Sequence, residues 1–169
     1  MFRKMRRINQ QLSTSQTVDI LQRNTAGTLA LLDEQGFPYA VPLSYVYHDG
    51  KIYFHSAKAG HKIDAIKHHN KASFCIIDQD DVKPEELTTY YRSVIAFGNV
   101  RLLENEEKYK AIQLLGLKYI DDSTFIEKEI DRFKDAFEVI EFDIIHITGK
   151  EAKELRWDHF TILQHPIIG

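Results

Sequence analysis

Two stretches of the chain carry residue types whose spacing could do chemistry. The first, residues 54–64, runs Phe-His-Ser-Ala-Lys-Ala-Gly-His-Lys-Ile-Asp from a strand end into the start of a helix. The free backbone N–H groups and the positive dipole end of a helix start favour an anion. Four side chains of this stretch could hold a phosphate: the hydroxyl of Ser56 and the basic groups of Lys58, His61 and Lys62. The stretch therefore predicts a phosphate site, although a capped helix with solvated lysines would have the same pattern.

The second stretch, Tyr90 to Arg101, has two polar residues at the start of an otherwise apolar strand. These residues, Arg92 and Ser93, can both donate hydrogen bonds. They could face a ligand, or they could occupy a hydrated strand end. The residues alone leave both interpretations open.

The histidines do not form a metal-binding pattern. His68 and His69 are adjacent, so on a helix their side chains point in different directions. Three further histidines are distant from this pair in the sequence: His48, His146 and His159. Zinc sites usually have closer ligand spacing or cysteine partners, and the chain has one cysteine. We therefore expect no metal site.

The composition is that of a single globular domain over residues 1–169. The chain is 43% hydrophobic and 28% charged, which excludes a disordered or fibrous protein. Its formal net charge of −3 does not provide the positive field of a general nucleic-acid binder. Cys75 has no disulfide partner and lies in an apolar run, so we interpret it as a small buried residue. We expect a cytoplasmic protein, because no apolar run could span a membrane or serve as a secretory signal.

The hydrophobic pattern positions these stretches in a mainly β chain with peripheral helices, an α+β fold. Apolar runs and alternation predict six strands, at 28–32, 39–47, 51–55, 72–77, 90–103 and 137–147. Helical spacing predicts helices at about 15–23, 63–70, 104–118 and 123–133. The rest is predicted as a basic arm (1–12), a loop (78–88) and a C-terminal tail (151–169). Short strands joined by tight turns are typical of a small antiparallel barrel.

The order of these stretches is similar to that of a known family. Gly-Thr-Leu-Ala-Leu-Leu at 27–32 precedes Pro-Tyr-Ala-Val-Pro-Leu-Ser-Tyr at 38–45, and a hairpin leads to 52–62. Tyr-Arg-Ser-Val-Ile-Ala-Phe-Gly follows at 91–98, and Thr-Gly-Lys-Glu at 148–151. Over residues 5–157 the chain resembles the 5-nitroimidazole-resistance (Nim) branch of the pyridoxamine 5′-phosphate oxidase-like flavoproteins. The combination is specific in its order and spacing.

The resemblance implies a six-stranded antiparallel split β-barrel that forms a homodimer and binds FMN at the dimer interface. It implies that the phosphate lies near Ser56, Lys58, His61 and Lys62, in agreement with the anion site above. The isoalloxazine ring is expected along Val41, Pro42 and Leu43, beside the strand end formed by Phe54, His55, Ser56 and Ala57. The resemblance also implies cofactor contacts, from this chain or its partner, by Arg92, Ser93 and Trp157.

His55 is the one catalytic residue that the resemblance implies, since similar members carry a histidine at this position. Histidine titrates near neutral pH and could give a proton to a substrate that the flavin reduces. A structural hydrogen bond at a strand end is the other interpretation. The implied activity is an FMN-dependent oxidoreductase acting on small aromatic or nitro-compounds. NADH or NADPH would bind transiently as the electron donor, because no dinucleotide-binding glycine motif occurs.

Alternative functions also follow from the resemblance. Relatives use this barrel to hold flavin without known turnover or to bind haem, and the histidines keep haem open as a ligand. A pyridoxamine 5′-phosphate oxidase would need additional Arg and Lys residues for the substrate phosphate, and such a set cannot be placed here. The partners expected are therefore a second copy of the chain and a small-molecule substrate, with no nucleic acid and no membrane.

Overall fold

The computed structural model describes residues 1–133 and 135–157. Its helices are Thr14–Arg23 (α1), His61–His68 (α2), Asn105–Leu117 (α3) and Ser123–Phe133 (α4). Its strands are Ala26–Leu32 (β1), Pro38–Ser44 (β2), Val46–His48 (β3), Lys51–Ala57 (β4), Lys71–Lys83 (β5), Thr88–Leu102 (β6) and Phe137–Glu151 (β7). Every strand pairing in this part of the chain is antiparallel. The predicted mainly β fold with peripheral helices is confirmed.

The strands form one sheet that curls on itself. The strand order is β2-β1-β5-β6-β7-β4-β3, so β2 and β3 are the two ends of the sheet. Phe54 of β4 and Phe74 of β5 nevertheless contact edge to face, with ring centroids 5.1 Å apart. Because β6 and β7 lie between these strands in the sheet, the contact requires a barrel. The barrel is open, or split, between β2 and the β3–β4 hairpin.

Alternating apolar side chains fill the barrel interior. Leu29, Phe54 and Phe74 are fully buried there, as the period-two pattern of strands requires. Tyr45 lies in the same core, and its hydroxyl donates a hydrogen bond of 2.8 Å to the Leu21 carbonyl of α1. This bond and the buried face of α1 close one end of the barrel.

The second and fourth predicted strands differ most from the structure. The strand predicted over 39–47 is divided at Tyr45, whose N–H donates to the Thr25 carbonyl. The sheet therefore has seven strands in place of the six predicted, since β3 is separate. Residues 78–83 are not a loop but continue β5, paired with β6 up to Lys83. Ladder hydrogen bonds between these two long strands outweigh the weak strand propensity of the acidic residues.

The N-terminal arm lies against the end of β7. Gln11 forms a β-bridge with Lys150, and Leu12 is buried in the core. Ser13 then caps α1 in a capping box with Gln16, which supplies two reciprocal hydrogen bonds at the helix start. The end of β7 is paired up to Glu151, so this strand extends beyond the predicted boundary at residue 147.

The α3–α4 hairpin packs on the outer face of β4 and β7. Leu103, Ala111 and Val139 form a small second core there. The two helices approach closely at Gly116, where an added Cβ would lie 2.8 Å from Cγ2 of Ile126. Lys118, at the end of α3, donates a 3.0 Å hydrogen bond to the Tyr45 carbonyl and so ties the hairpin to the barrel opening.

Candidate functional site

The start of α2 has the geometry of an anion site. Gly60 precedes the helix at φ 126°, a conformation that favours glycine, and no side chain of the described residues caps the helix. The N–H groups of Ile63 and Asp64 donate to the Gly60 carbonyl. Those of His61 and Lys62 precede these bonds, where a helix leaves its N–H groups free. These free donors remain available to a ligand.

Lys62 supplies a positive charge at this helix start. Its side chain is half-buried, and burial lowers the pKa of its ammonium group from the ordinary value. No described carboxylate lies within ion-pair distance of the Lys62 ammonium. A desolvated ammonium without a counter-ion is stabilised by a bound anion. Lys58, in contrast, is exposed in the turn before the helix.

His61 is held by two neighbours. Its ring stacks on Tyr39 of β2 at a centroid distance of 4.1 Å, and its Nε2 lies 3.4 Å from Oδ2 of Asp33. The other carboxylate oxygen of Asp33 accepts hydrogen bonds from the N–H groups of Gln35 and Phe37. This geometry fixes His61 at the edge of the helix start and joins the site to the β1–β2 turn.

The strand β4 divides its predicted site residues between two faces. Phe54 and Ser56 are buried on the barrel side, whereas His55 and Ala57 are exposed on the opposite side. His55 pairs in register with Val139 of β7, whose side chain belongs to the small core under α3. His55 and Ser56 therefore meet different surroundings, which a run of consecutive residues in the sequence does not reveal.

The predicted ring-binding segment lies on the edge strand β2. Val41 and Leu43 face the barrel core, and Pro42 between them is exposed. From Tyr39, which touches His61, to Ser44 the strand covers about 17 Å at its usual rise per residue. The edge of β2 thus connects the anion site at α2 with the region around His55.

Arg92 and Ser93 face different sides of β6. The Arg92 side chain is 17% exposed and lies between two carboxylates, with Nε 3.1 Å from Glu151 and a terminal nitrogen 3.4 Å from Asp78. Ser93 has the opposite orientation in the strand and lines a polar cleft with Lys150 and Arg156. Only the serine is therefore directed towards an open surface.

The two predicted halves of the site lie far apart within one chain. Ser56 pairs with Glu138 at the start of β7, and Ser93 pairs with Lys150 near its end. These two partners are twelve residues apart, which is about 40 Å of strand. A single chain therefore does not bring Ser93 to the anion site. Trp157 ends a short 3₁₀ helix beyond β7, and its side chain lies outside the described part of the structure.

A cavity that the sequence did not predict adjoins His55. It measures about 320 Å³ and lies between the α3–α4 hairpin and the barrel opening. Aromatic side chains form much of its wall, together with two polar residues of the sheet: Tyr119, Phe125, Phe133, Phe137, Ser44 and His55. The only signal in the sequence was the number of large apolar residues on α4, of which Phe125 and Phe133 remain 48% and 45% exposed.

Other types of site have less support. Over residues 1–133 and 135–157, no group of three or more His, Cys, Asp or Glu side chains could hold a metal ion. His159, considered above, lies outside these ranges. In the same residues, none of the helices combines the length and the apolar character that crossing a bilayer requires.

Comparison with known proteins identifies relatives of this fold. Residues 13–151 match a family model described as pyridoxamine 5′-phosphate oxidase, whereas no curated protein matches the sequence. One similar structure is a protein from Bacteroides thetaiotaomicron VPI-5482 whose proposed role is 5-nitroimidazole antibiotic resistance. It is 21% identical in sequence, and the two structures match with a TM-score of 0.67 over 83% of this chain and 85% of that chain. A FAD-binding protein from Mesorhizobium loti is 24% identical, with a TM-score of 0.60 over 85% and 97%.

A third structure extends the similarity to almost the whole chain. A conserved hypothetical protein from Mycobacterium tuberculosis is 17% identical, with a TM-score of 0.77 over 98% of both chains. At such low identities the comparison concerns the fold. It confirms the predicted α+β split barrel.

Proposed function

The chain belongs to the pyridoxamine 5′-phosphate oxidase family, and on that premise we propose that it is a flavoprotein that binds FMN beside β2. The observation that carries the proposal is the start of α2, where no described side chain caps the helix and the half-buried Lys62 has no acidic partner among the described residues. A phosphate dianion would accept charge-assisted hydrogen bonds from these groups. The same fold in a FAD-binding protein from Mesorhizobium loti supports a flavin cofactor.

The length of the β2 edge supports the position of the flavin ring. With its phosphate at α2, an extended FMN would run along β2 past Val41, Pro42 and Leu43, over about the 17 Å that this strand covers. The ring would then end near His55. Ala57 has a small side chain on the same face as His55 and leaves room for the ligand, whereas Phe54 and Ser56 would support the site from the buried side.

The proposed assembly is a homodimer whose two sites each contain residues of both copies. Large apolar side chains are exposed on the outer face of the β5–β6–β7 sheet: Ile77, Ile95, Phe97 and Ile145. Several exposed apolar side chains on one face of a sheet favour a protein partner. Ser93 lies on the same face of β6 as Ile95. A second copy docked there would explain how Ser93, distant from α2 of its own chain, contacts a cofactor.

The proposed activity is reduction of a small aromatic substrate with electrons from NADH or NADPH. The flavin supplies two-electron transfer when bound. For a nitro-compound, NAD(P)H, H⁺ and R–NO₂ would give NAD(P)⁺, R–NO and water. His55 would donate a proton to the nitro oxygen that leaves as water, because it is exposed on the substrate side and has no hydrogen-bond partner among the described residues.

Haem is less well supported than flavin by the shape of the site. A porphyrin needs an axial ligand and a large apolar slot. His55 could serve as the ligand, but the adjoining cavity of about 320 Å³ is at the lower limit of small-molecule pockets. Pyridoxamine 5′-phosphate oxidation would require cations for a second phosphate, and among the described residues the wall of this cavity contains no lysine or arginine.

The proposal is tested by the visible absorption spectrum of the freshly purified protein, followed by mass spectrometry of the released cofactor. We expect a flavin spectrum and release of FMN. Release of FAD would retain the flavoprotein and overturn the FMN assignment. A Soret band, or a colourless protein that does not bind added FMN, would contradict the proposal.

A further inference from the structure

The cavity beside His55 has a wall with a distinctive charge pattern. Its surface is almost entirely apolar, and among the described residues Glu129 of α4 is the only carboxylate in the wall. Arg132 lies outside the wall, and a terminal nitrogen of its guanidinium group is 3.6 Å from a carboxylate oxygen of Glu129. An anion entering the cavity would lose its hydration without meeting a lysine or arginine among the described residues of the wall.

The size of the cavity limits the ligand. A volume of about 320 Å³ is roughly twice that of a 150 Å³ cavity that accepts a single benzene ring. One or two fused or linked rings would therefore occupy it. The surrounding Phe125, Phe133 and Phe137 provide ring edges and faces for offset or edge-to-face contacts.

One wall of the cavity is held rigidly in place. The hydroxyl group of Tyr119 donates to the carbonyls of Thr25 at 3.0 Å and of Tyr45 at 3.2 Å. The ring of Tyr119 is therefore fixed before any ligand binds, which reduces the entropy lost on binding. Gly116 allows α4 to lie against α3 and so keeps the cavity narrow.

The sheet supplies the polar groups that could orient a ligand. Ser44 of β2 and His55 of β4 both line the cavity, and His55 makes no side-chain hydrogen bond within the described residues. A few polar groups in an apolar pocket are the usual means of fixing a ligand's orientation. A carbonyl or nitro oxygen of the ligand could accept a hydrogen bond from either side chain.

We infer that this cavity is the substrate pocket and that it selects uncharged aromatic molecules of one or two rings, because its described wall offers no cationic partner to an anion such as a phosphorylated substrate. The inference rests on the proposed function for the chemistry that follows binding. The binding preference itself depends only on the described residues of the cavity.

A matched pair of fluorescent probes tests the preference. N-phenyl-1-naphthylamine is neutral, and 8-anilinonaphthalene-1-sulfonate has the same ring skeleton with an added sulfonate. Both would be titrated into the purified full-length protein at about pH 8, above the usual histidine range. We expect saturable binding of the neutral probe, at least about tenfold tighter than that of the sulfonate. Menadione, a neutral quinone, should displace the neutral probe, and pyridoxine 5′-phosphate should not.

Three variants locate the binding site and its charge discrimination. Ser44→Phe fills the cavity from β2 and should weaken binding of the neutral probe by at least about tenfold. Thr88→Phe, an exposed strand position outside the cavity wall, is the control and should leave it unchanged. Glu129→Lys should bring the affinity for the sulfonate close to that for the neutral probe. Equal weakening by Ser44→Phe and Thr88→Phe would overturn the assignment.

A wrong substrate pocket and a missing flavin give different results in these experiments. If the protein contains FMN but shows no saturable binding of the neutral probe, the substrate pocket is wrong and the flavoprotein stands. If the probe preference is found in a protein without flavin, the binding pocket stands and the proposed reaction fails. Tighter binding of the sulfonate than of the neutral probe would overturn the selection against anions.

Discussion

The His61 ring stacks on the Tyr39 ring with 4.1 Å between their centroids. This contact fixes the start of α2 against the first residues of β2, two elements that are separated in the chain by β3 and β4. An anion held by the free N–H groups of α2 would therefore be adjacent to the edge of β2. The contact between His61 and Tyr39 therefore joins the start of α2 and the edge of β2 into one continuous surface for the proposed FMN site.

The first prediction concerns Lys62. Lys62→Ala removes the half-buried ammonium group that has no described acidic partner, so the affinity for FMN should fall by about tenfold or more. Lys67→Ala is the matched control, since it removes an equal charge from the exposed last turn of the same helix. Titration of flavin-free protein with FMN, followed by flavin fluorescence, measures both constants. Equal affinities in the two variants would contradict the phosphate assignment.

The second prediction concerns His55. His55→Gln should retain bound FMN but reduce the rate of NADH-dependent nitroaromatic reduction by about 100-fold, the usual contribution of a positioned proton donor. His48→Gln, at the exposed end of β3, should keep the wild-type rate. Steady-state rates normalised to flavin content give the comparison. An unchanged rate in the His55 variant would mean that the histidine transfers no proton in the rate-limiting step.

The third prediction concerns the proposed dimer. Ile95 is 40% exposed on the outer face of β6, and Ile95→Asp would place a charge in the apolar interface. Sedimentation should show a wild-type dimer and a monomeric variant that also loses flavin, because Ser93 of the second copy is then absent. Tyr109→Asp changes a side chain of similar exposure, 37%, on α3 and should remain dimeric. A wild-type monomer saturated with FMN would exclude a shared site.

The fourth prediction concerns the acid stability that Asp78 provides. Burial alone would raise the pKa of Asp78, but hydrogen bonds from Arg23 and Asn24 and the charge of Arg23 outweigh it and hold the pKa below its ordinary value. The stabilisation is therefore complete above the pKa of the unfolded chain, near 4. It is lost as the pH falls through the lower pKa of the folded state.

Substitution of Asp78 tests this pH dependence. At pH 7, Asp78→Asn should reduce the free energy of unfolding by about 2 kcal/mol, because it leaves Arg92 with one carboxylate partner. Urea unfolding between about pH 2 and pH 7 should give a flatter pH profile for this variant than for the wild type. Asp80→Asn, at an exposed position of the same strand, should follow the wild-type profile. Parallel profiles for all three proteins would be inconsistent with a role for Asp78.

Local sequence signals predicted most of the secondary structure. The helix predicted at about 15–23 is present because Ser13 and Gln16 form a capping box, and the helices near residues 63, 104 and 123 followed from apolar spacing. The division of the second strand at Tyr45 could not be predicted in this way. Its cause is a pair of contacts, to Leu21 and to Thr25, that exist only once α1 has packed on the barrel.

The candidate site was predictable only where its residues are neighbours in the sequence. The phosphate stretch is one continuous segment, 54–64, so its strand, glycine and helix start could be read directly. Arg92 and Ser93 are also neighbours in the sequence, but the two faces of β6 give them different roles. The ion pairs of Arg92 with Asp78 and Glu151 join three strands and depend on the register between them.

The sequence by itself determined the fold class, the family resemblance and the anion-binding pattern, because these are encoded in alternation, spacing and short motifs. Only the tertiary structure decided that Ser56 and Ser93 lie at opposite ends of β7 and that a cavity opens beside His55. Both depend on how distant segments pack: strand register sets the first, and the packing of α3 and α4 against the barrel opening sets the second. Such long-range contacts leave no periodic signal in the chain.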